Sequence, residues 1–265
     1  VAVMELVSDV SALFGRHMRH LARIPEKLLS VTLMPVAYVV VFGVLFGSAI
    51  SVPGSDYRSY LMAGIFTQMM LTNVGNTALG VAGDLGNGVV DRFRSLPMSR
   101  SAVLIGRTLA DVALAVIACV AMAVVGYLIG WRVHNGIPRA IAGFGILLLL
   151  GYAMSWLGAL IGLLARSAEA VNSIAFMLVM PLTFLSNAFI PLNGLPGWLR
   201  LLCEWNPVSA VVAACRELFG NTSTGTGKSA LPVQYPIPLS LALIALLLAI
   251  VVPAAVGAYR KAAAR

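Results

Sequence analysis

Residues 87–107 read NGVVDRFRSLPMSRSAVLIGR, a polar, arginine-laden island between two apolar segments that are each long enough to cross a bilayer. Two membrane helices joined by such a segment predict an all-α integral membrane protein, and the island is where a partner in the aqueous phase would touch it. Composition agrees. The chain has 265 residues, 60% of them hydrophobic and 11% charged, with a mean hydropathy of +0.93, whereas soluble domains carry about 25% charged residues. The apolar runs exceed the roughly 18 residues that separate a spanning helix from a buried core helix, and a β-barrel would show short alternating strands instead.

Outward from the island, the chain reads as one transmembrane domain over residues 1–265. From Met4 to Lys27, Leu6, Val10, Leu13, Phe14, Met18, Leu21 and Ile24 recur at helical spacing while Arg16, Arg19, His20, Arg23 and Lys27 take the other face. This predicts a basic amphipathic elbow helix in the membrane interface, ended by Pro25. Six spans follow as expectations: 28–50, 60–82, 108–130, 140–165, 170–190 and 239–258. The second has an unusually polar middle, with Thr67, Gln68, Thr72, Asn73, Asn76 and Thr77. Such groups must face other helices or a water-filled path. Residues 195–220 are too apolar to be solvated and too interrupted to span, which predicts a re-entrant or outer helical pair broken at Asn206-Pro207. No cleavable signal peptide is evident, because the first apolar run starts near Leu28 and is longer than a signal h-region, so the N-terminus is expected to be retained.

An even number of spans puts both termini on one side. Twelve of the 18 basic residues fall on that side, together with the island, so the positive-inside rule predicts a multi-pass plasma-membrane protein with cytoplasmic termini and a cytoplasmic island. Cys119, Cys203 and Cys215 form no metal or disulfide framework; Cys203 and Cys215 could pair only if their loop faces an oxidising compartment.

The chain offers no catalytic set. Its histidines are His17, His20 and His134, and neither an HExxH pair nor a G-x-S-x-G elbow occurs. GTGKS at 225–229 ends like a phosphate loop, but the glycine required five residues before Gly227 is Thr222, and the segment neither follows a strand nor opens a helix. Energy must therefore come from outside the chain. An ion-coupled carrier would bury carboxylates as relays, and this chain offers Asp111, which Arg107 one turn earlier can pair with as a structural pair. A separate ATPase docking on the island is the better reading. In Asp91, Arg92, Phe93, Arg94, Ser95, Leu96, Pro97, Met98 and Arg100, apolar Phe93, Leu96 and Met98 alternate with arginines, the composition of a protein contact with anchors and a charged surround. The bland alternative is a basic loop that only fixes topology.

The blocks GVVDRFRSLPMSR at 88–100, Gly106-Arg107 with Ala110-Asp111, LSNAFIP at 185–191, LPGWLR at 195–200 and Asn206-Pro207 resemble the ABC-2 family of transporter permeases, most closely its daunorubicin-resistance-type drug exporter subunits. The resemblance covers nearly the whole chain. It implies a six-helix permease half with a coupling helix at 87–107, no cofactor of its own, and ATP and Mg on a partner ATPase present in two copies. It also implies a second permease, identical or homologous, no nucleic acid, and an amphipathic drug, lipid or natural product as substrate. The substrate path is expected at Gln68, Asn73 and Asn76 of the second span and at Phe184, Asn187 and Phe189 near the end of the fifth. Two departures bear on this: the family often has glutamate where Asp84 or Asp91 stands, and many members have glycine where this chain has Asn187.

Overall fold

The computed structural model describes residues 10–11, 14–15, 25–46, 56–86, 100–165, 167–189, 192–222 and 234–262. All regular structure among the described residues is helical. Helix α1 spans Pro25–Val40 and runs on as a π-helical turn, Val41–Phe46. It is followed by α2, Tyr57–Gly86, and α3, Arg100–Leu128. Next come α4, Ile137–Leu164, and α5, Ala168–Phe184. A short pair, α6 at Gly197–Trp205 and α7 at Pro207–Phe219, precedes α8, Pro236–Ala262. Of the expected elbow helix, residues 10–11 and 14–15 are helical, and most of the remainder lies outside the described residues.

Local chemistry sets the boundaries. Proline lacks the N–H that a first turn leaves unpaired, and α1, α7 and α8 all begin with one. Ser167 starts α5 by accepting from the Ala170 N–H at 3.1 Å, and Asn206 starts α7 by accepting from the Val208 N–H at 2.8 Å. The break at Asn206-Pro207 is thus where the sequence placed it. Gly220 ends α7 at φ 75°, with its Cα packed so closely that a Cβ would fall 2.9 Å from the Asn135 side chain. Two boundaries differ most from expectation. Helix α3 begins at Arg100, so the last third of the island already belongs to a membrane helix. Helix α5 ends at Phe184, six residues short, after Pro181 in its last turn.

Among the described residues, three helices are long and apolar enough to cross a membrane: Ala102–Leu128, Ile137–Leu164 and Pro236–Lys261. Helix α2, with 30 residues, has the length, but its polar middle dilutes its hydropathy. Burial separates the three. In α4, 61% of the most apolar window is inside the bundle, against 33% in α3 and 22% in α8, so α4 is the central helix and the other two present apolar sides outward.

Helix α4 packs on α2 through small residues. A Cβ on Gly158 would lie 2.4 Å from the Val74 carbonyl oxygen and one on Gly162 would lie 2.5 Å from that of Ala78. The two backbones therefore touch along a G-x-x-x-G stripe, which is how membrane helices gain dispersion energy without a hydrophobic drive. At the far end of α2 from the island, Phe66, Trp131, Phe144 and Phe219 form one aromatic cluster with centroids 5.2–6.3 Å apart. It ties α2, α4, α7 and the α3–α4 loop together. Cys119, Cys203 and Cys215 are buried free thiols, so Cys203 and Cys215 do not pair.

Candidate functional site: a cavity between the first three helices

Helices α1, α2 and α3 line a half-open cavity of about 670 Å³, within the 300–1,000 Å³ usual for drug-sized ligands. Its apolar walls come from Met34 and Tyr38 of α1, Met69 of α2 and Leu114 of α3. Methionine and tyrosine suit an adaptable amphipathic site, because the thioether is flexible and polarisable and the phenol is apolar with a polar tip. The uncharged polar lining comes from α2, and it includes Gln68, Asn73 and Asn76, three of the six path residues expected from sequence. At 3.6 residues per turn Asn73 and Asn76 are neighbours on successive turns, while Gln68 lies about 80° round the helix from Asn76 and about 140° from Asn73, so the three fan over nearly half of the α2 surface.

Each of the three is held differently. Gln68 Oε1 accepts from the Thr183 hydroxyl of α5, so it also fastens α5 to α2. Asn73 is half-buried, with Nδ2 wedged beside Gly151 of α4 and without a hydrogen-bond partner. Asn76 is exposed.

Arg107 and Asp111 also line the cavity, at its end nearest the island. Their bonding reaches across helices. Arg107 Nη1 forms an ion pair with Asp84, near the last turn of α2. Asp111 Oδ2 accepts from the Thr77 hydroxyl of α2 at 2.6 Å. Beside the Arg107–Asp111 pair expected inside one helix, these atoms make two links between α2 and α3.

The other three expected path residues lie elsewhere, around the end of α5. Phe189 stacks on Phe42 with centroids 5.3 Å apart, and Phe42 stacks on Tyr38 at 5.7 Å. Since Tyr38 lines the cavity, a run of rings leads from it to Phe189 and on to the exposed Phe184, 6.3 Å further. Asn187 is buried in a structural role: its backbone N–H donates to the Ser209 hydroxyl at 3.1 Å, and its carbonyl accepts from Tyr60 at 3.0 Å and Arg216 at 2.7 Å.

Arg216 is not among the residues singled out from sequence. It is buried in α7 and donates to the carbonyls of Tyr60, Asn187 and Ala188. The signal was present, since a cation inside the apolar run VVAACRELF must find acceptors or stay out of the interior. The apolar wall residues Met34, Tyr38 and Leu114 were also missed; nothing in a spanning helix marks which apolar side chains face a cavity.

The island residues Asp91, Arg92, Phe93, Arg94, Ser95, Leu96, Pro97 and Met98 lie outside the described residues, and Arg100 is placed as the first residue of α3. Among the described residues, no group of His, Cys, Asp or Glu is arranged to hold a metal ion.

Comparison with known proteins supplies the context for this cavity. A family described as ABC-2 type transporter matches residues 8–219. The daunorubicin resistance ABC transporter permease protein DrrB1 of Streptomyces coeruleorubidus is 31% identical over 208 residues, covering 78% of this chain and 74% of that protein. A putative transport permease, ycf38, of Porphyra purpurea is 24% identical over 87% of this chain and 80% of its own length. A probable doxorubicin resistance ABC transporter permease protein, DrrC, of Mycobacterium tuberculosis is 25% identical over 69% of this chain and 66% of its own length.

Proposed function

Because the chain belongs to the ABC-2 type transporter family, we propose that it works as the membrane permease subunit of an ATP-binding cassette exporter, driven by a separate ATPase and moving an amphipathic drug, lipid or natural product. The drug-resistance permeases among its relatives support the exporter class. The observation that carries the reading is the cavity, drug-sized and walled by Met34, Tyr38 and Met69 against Gln68, Asn73 and Asn76.

In this reading the chain crosses the membrane six times, at α1, α2, α3, α4, α5 and α8, with both termini and the island cytoplasmic. The pair α6 and α7 forms an outer re-entrant element, and residues 4–27 form the elbow. Two permease halves, identical or homologous, stand on two ATPase subunits, and ATP and Mg bind there. Phe93, Leu96 and Met98 fill pockets on the ATPase while Arg92, Arg94 and Arg100 set register. ATP binding closes the ATPases, the island moves with them, and the cavity passes from inward to outward access. Binding energy does the switching, because any shift of a two-state equilibrium is limited by the difference in affinity for the two states.

The test is reconstitution of the purified chain into liposomes with and without its partner ATPase, with uptake of an amphipathic dye as the readout. The reading requires transport that needs both the ATPase and hydrolysable ATP. Transport that persists without the ATPase and stops in Asp111→Asn would instead identify an ion-coupled carrier.

A further inference from the structure

We propose that the two polar links between α2 and α3, Arg107 to Asp84 and Thr77 to Asp111, lock the island ends of both helices into one rigid lever, so that displacement of the island reaches the cavity undiminished; this rests on the island being the ATPase contact. Helix α2 is continuous to Gly86 and α3 is continuous from Arg100, so each leads unbroken from the island to the cavity wall. Beside the cavity the two helices share a buried apolar cluster, with Val81 and Leu85 of α2 and Leu104 of α3, and the polar links add directed attachment points to it.

Their geometry suits a lever. On α2 the attachment points are Asp84 and Thr77, two turns or about 10 Å apart; on α3 they are Arg107 and Asp111, one turn or about 6 Å apart. One attachment would leave a hinge, whereas two fix angle as well as separation. Between them on α2 stands Gly80, where a Cβ would fall 1.5 Å from Arg107 Nη2. The guanidinium therefore rests against the α2 backbone, in space that any side chain would occupy. The Arg107 side chain is 13% exposed and that of Asp84 is 42% exposed, so the pair spans from the cavity interior to its rim. Arg107 and Asp111 line the cavity. Asp84 and Thr77 act through them, as positioning residues.

The experiment uses the full chain assembled with its ATPase in lipid nanodiscs, with spin labels on introduced cysteines and a non-hydrolysable ATP analogue. One label pair, Met34→Cys with Leu114→Cys, reads α1 against α3; the other, Asn76→Cys with Leu114→Cys, reads α2 against α3. The three native thiols are buried. In the otherwise native protein, nucleotide is expected to shift the first distance and leave the second unchanged. In Asp84→Asn/Thr77→Val, the second distribution broadens even without nucleotide and shifts with it, while basal ATPase activity stays at the native rate; the single variant Asp84→Glu, with Thr77 in place, keeps the narrow distribution. A second distance that moves with nucleotide in the native pairing, or one that stays narrow in the double variant, overturns the lever. A first distance that ignores nucleotide while the second still broadens in the double variant refutes the island as ATPase contact and leaves the links standing.

Discussion

The Arg216 guanidinium stacks over the Tyr60 ring, 3.4 Å from its centroid, and donates from Nε to the Tyr60 carbonyl at 3.0 Å. Its Nη2 meets the carbonyls of Asn187 and Ala188 at 2.7 and 3.1 Å. Those two carbonyls follow the end of α5 and have no helix to pair with, and an unpaired backbone group away from water costs several kcal/mol. Arg216, with the Tyr60 hydroxyl that also donates to the Asn187 carbonyl, satisfies this bend and joins it to α2 and α7.

Replacing Arg216 by Met keeps the volume and removes the donors. With charge-assisted hydrogen bonds worth about 1.5–3 kcal/mol each, the variant is expected to lose at least about 3 kcal/mol, read as a lower unfolding midpoint in detergent. Arg216→Lys should recover little, since an ammonium cannot reproduce the fixed fork. A midpoint within error of the native chain in Arg216→Met would show that water or another donor serves these carbonyls.

The glycine stripe makes a second stability prediction. Gly158→Ala forces a methyl to 2.4 Å from the Val74 carbonyl oxygen, a backbone atom that moves only if α2 and α4 separate. Overpacking of this kind costs about 1–3 kcal/mol. Gly145→Ala, on the same helix with nothing within 4 Å of its Cβ, is the control; helix propensity favours it by up to about 1 kcal/mol. Equal midpoints for the two variants would mean that α2 and α4 do not pack backbone to backbone.

These two cases mark what the sequence could and could not convey. Apolar runs showed where the helices are, and Asn206-Pro207 showed where α6 gives way to α7, because both signals are local. The polar middle of α2 pointed to the cavity for the same reason: Gln68, Asn73 and Asn76 fall on adjacent turns. The partners of Arg107 and Arg216 depend on which helices meet. Arg107 had a carboxylate one turn away at Asp111 and another at Asp84, distant in sequence, and only the approach of α2 to α3 places the second within reach. Phe184, Asn187 and Phe189 were grouped by proximity in the chain, yet the early end of α5 sends Asn187 into the core and leaves Phe184 exposed.

Filling the cavity should stop transport without disturbing assembly. Asn76 is exposed and lines the cavity, so Asn76→Trp places an indole in the ligand space with no core to repack. Loss of a few favourable contacts amounts to about 1.4 kcal/mol or more, which is tenfold in affinity. Dye uptake in proteoliposomes is expected to fall about tenfold while ATPase co-purification is unchanged. Native uptake in Asn76→Trp would place the substrate path elsewhere, with the exposed rings around Phe184 next to be probed.

The island makes the last prediction, and it turns on which of its residues carry binding energy. In protein contacts a few buried anchors dominate, truncation of one costs about 2 kcal/mol or more, and rim charges mainly set association rate and salt dependence. Phe93→Ala should therefore weaken ATPase co-purification about 30-fold at any ionic strength, whereas Arg94→Ala should weaken it strongly at low salt and little at high salt. The contrast separates docking from topology. A basic loop that serves only the positive-inside rule would tolerate Phe93→Ala completely, and loss of Arg94 would then appear, if anywhere, as inverted protein in a protease-accessibility assay. Intact co-purification and intact ATP-dependent transport in both variants would remove the island as the route by which energy enters the permease.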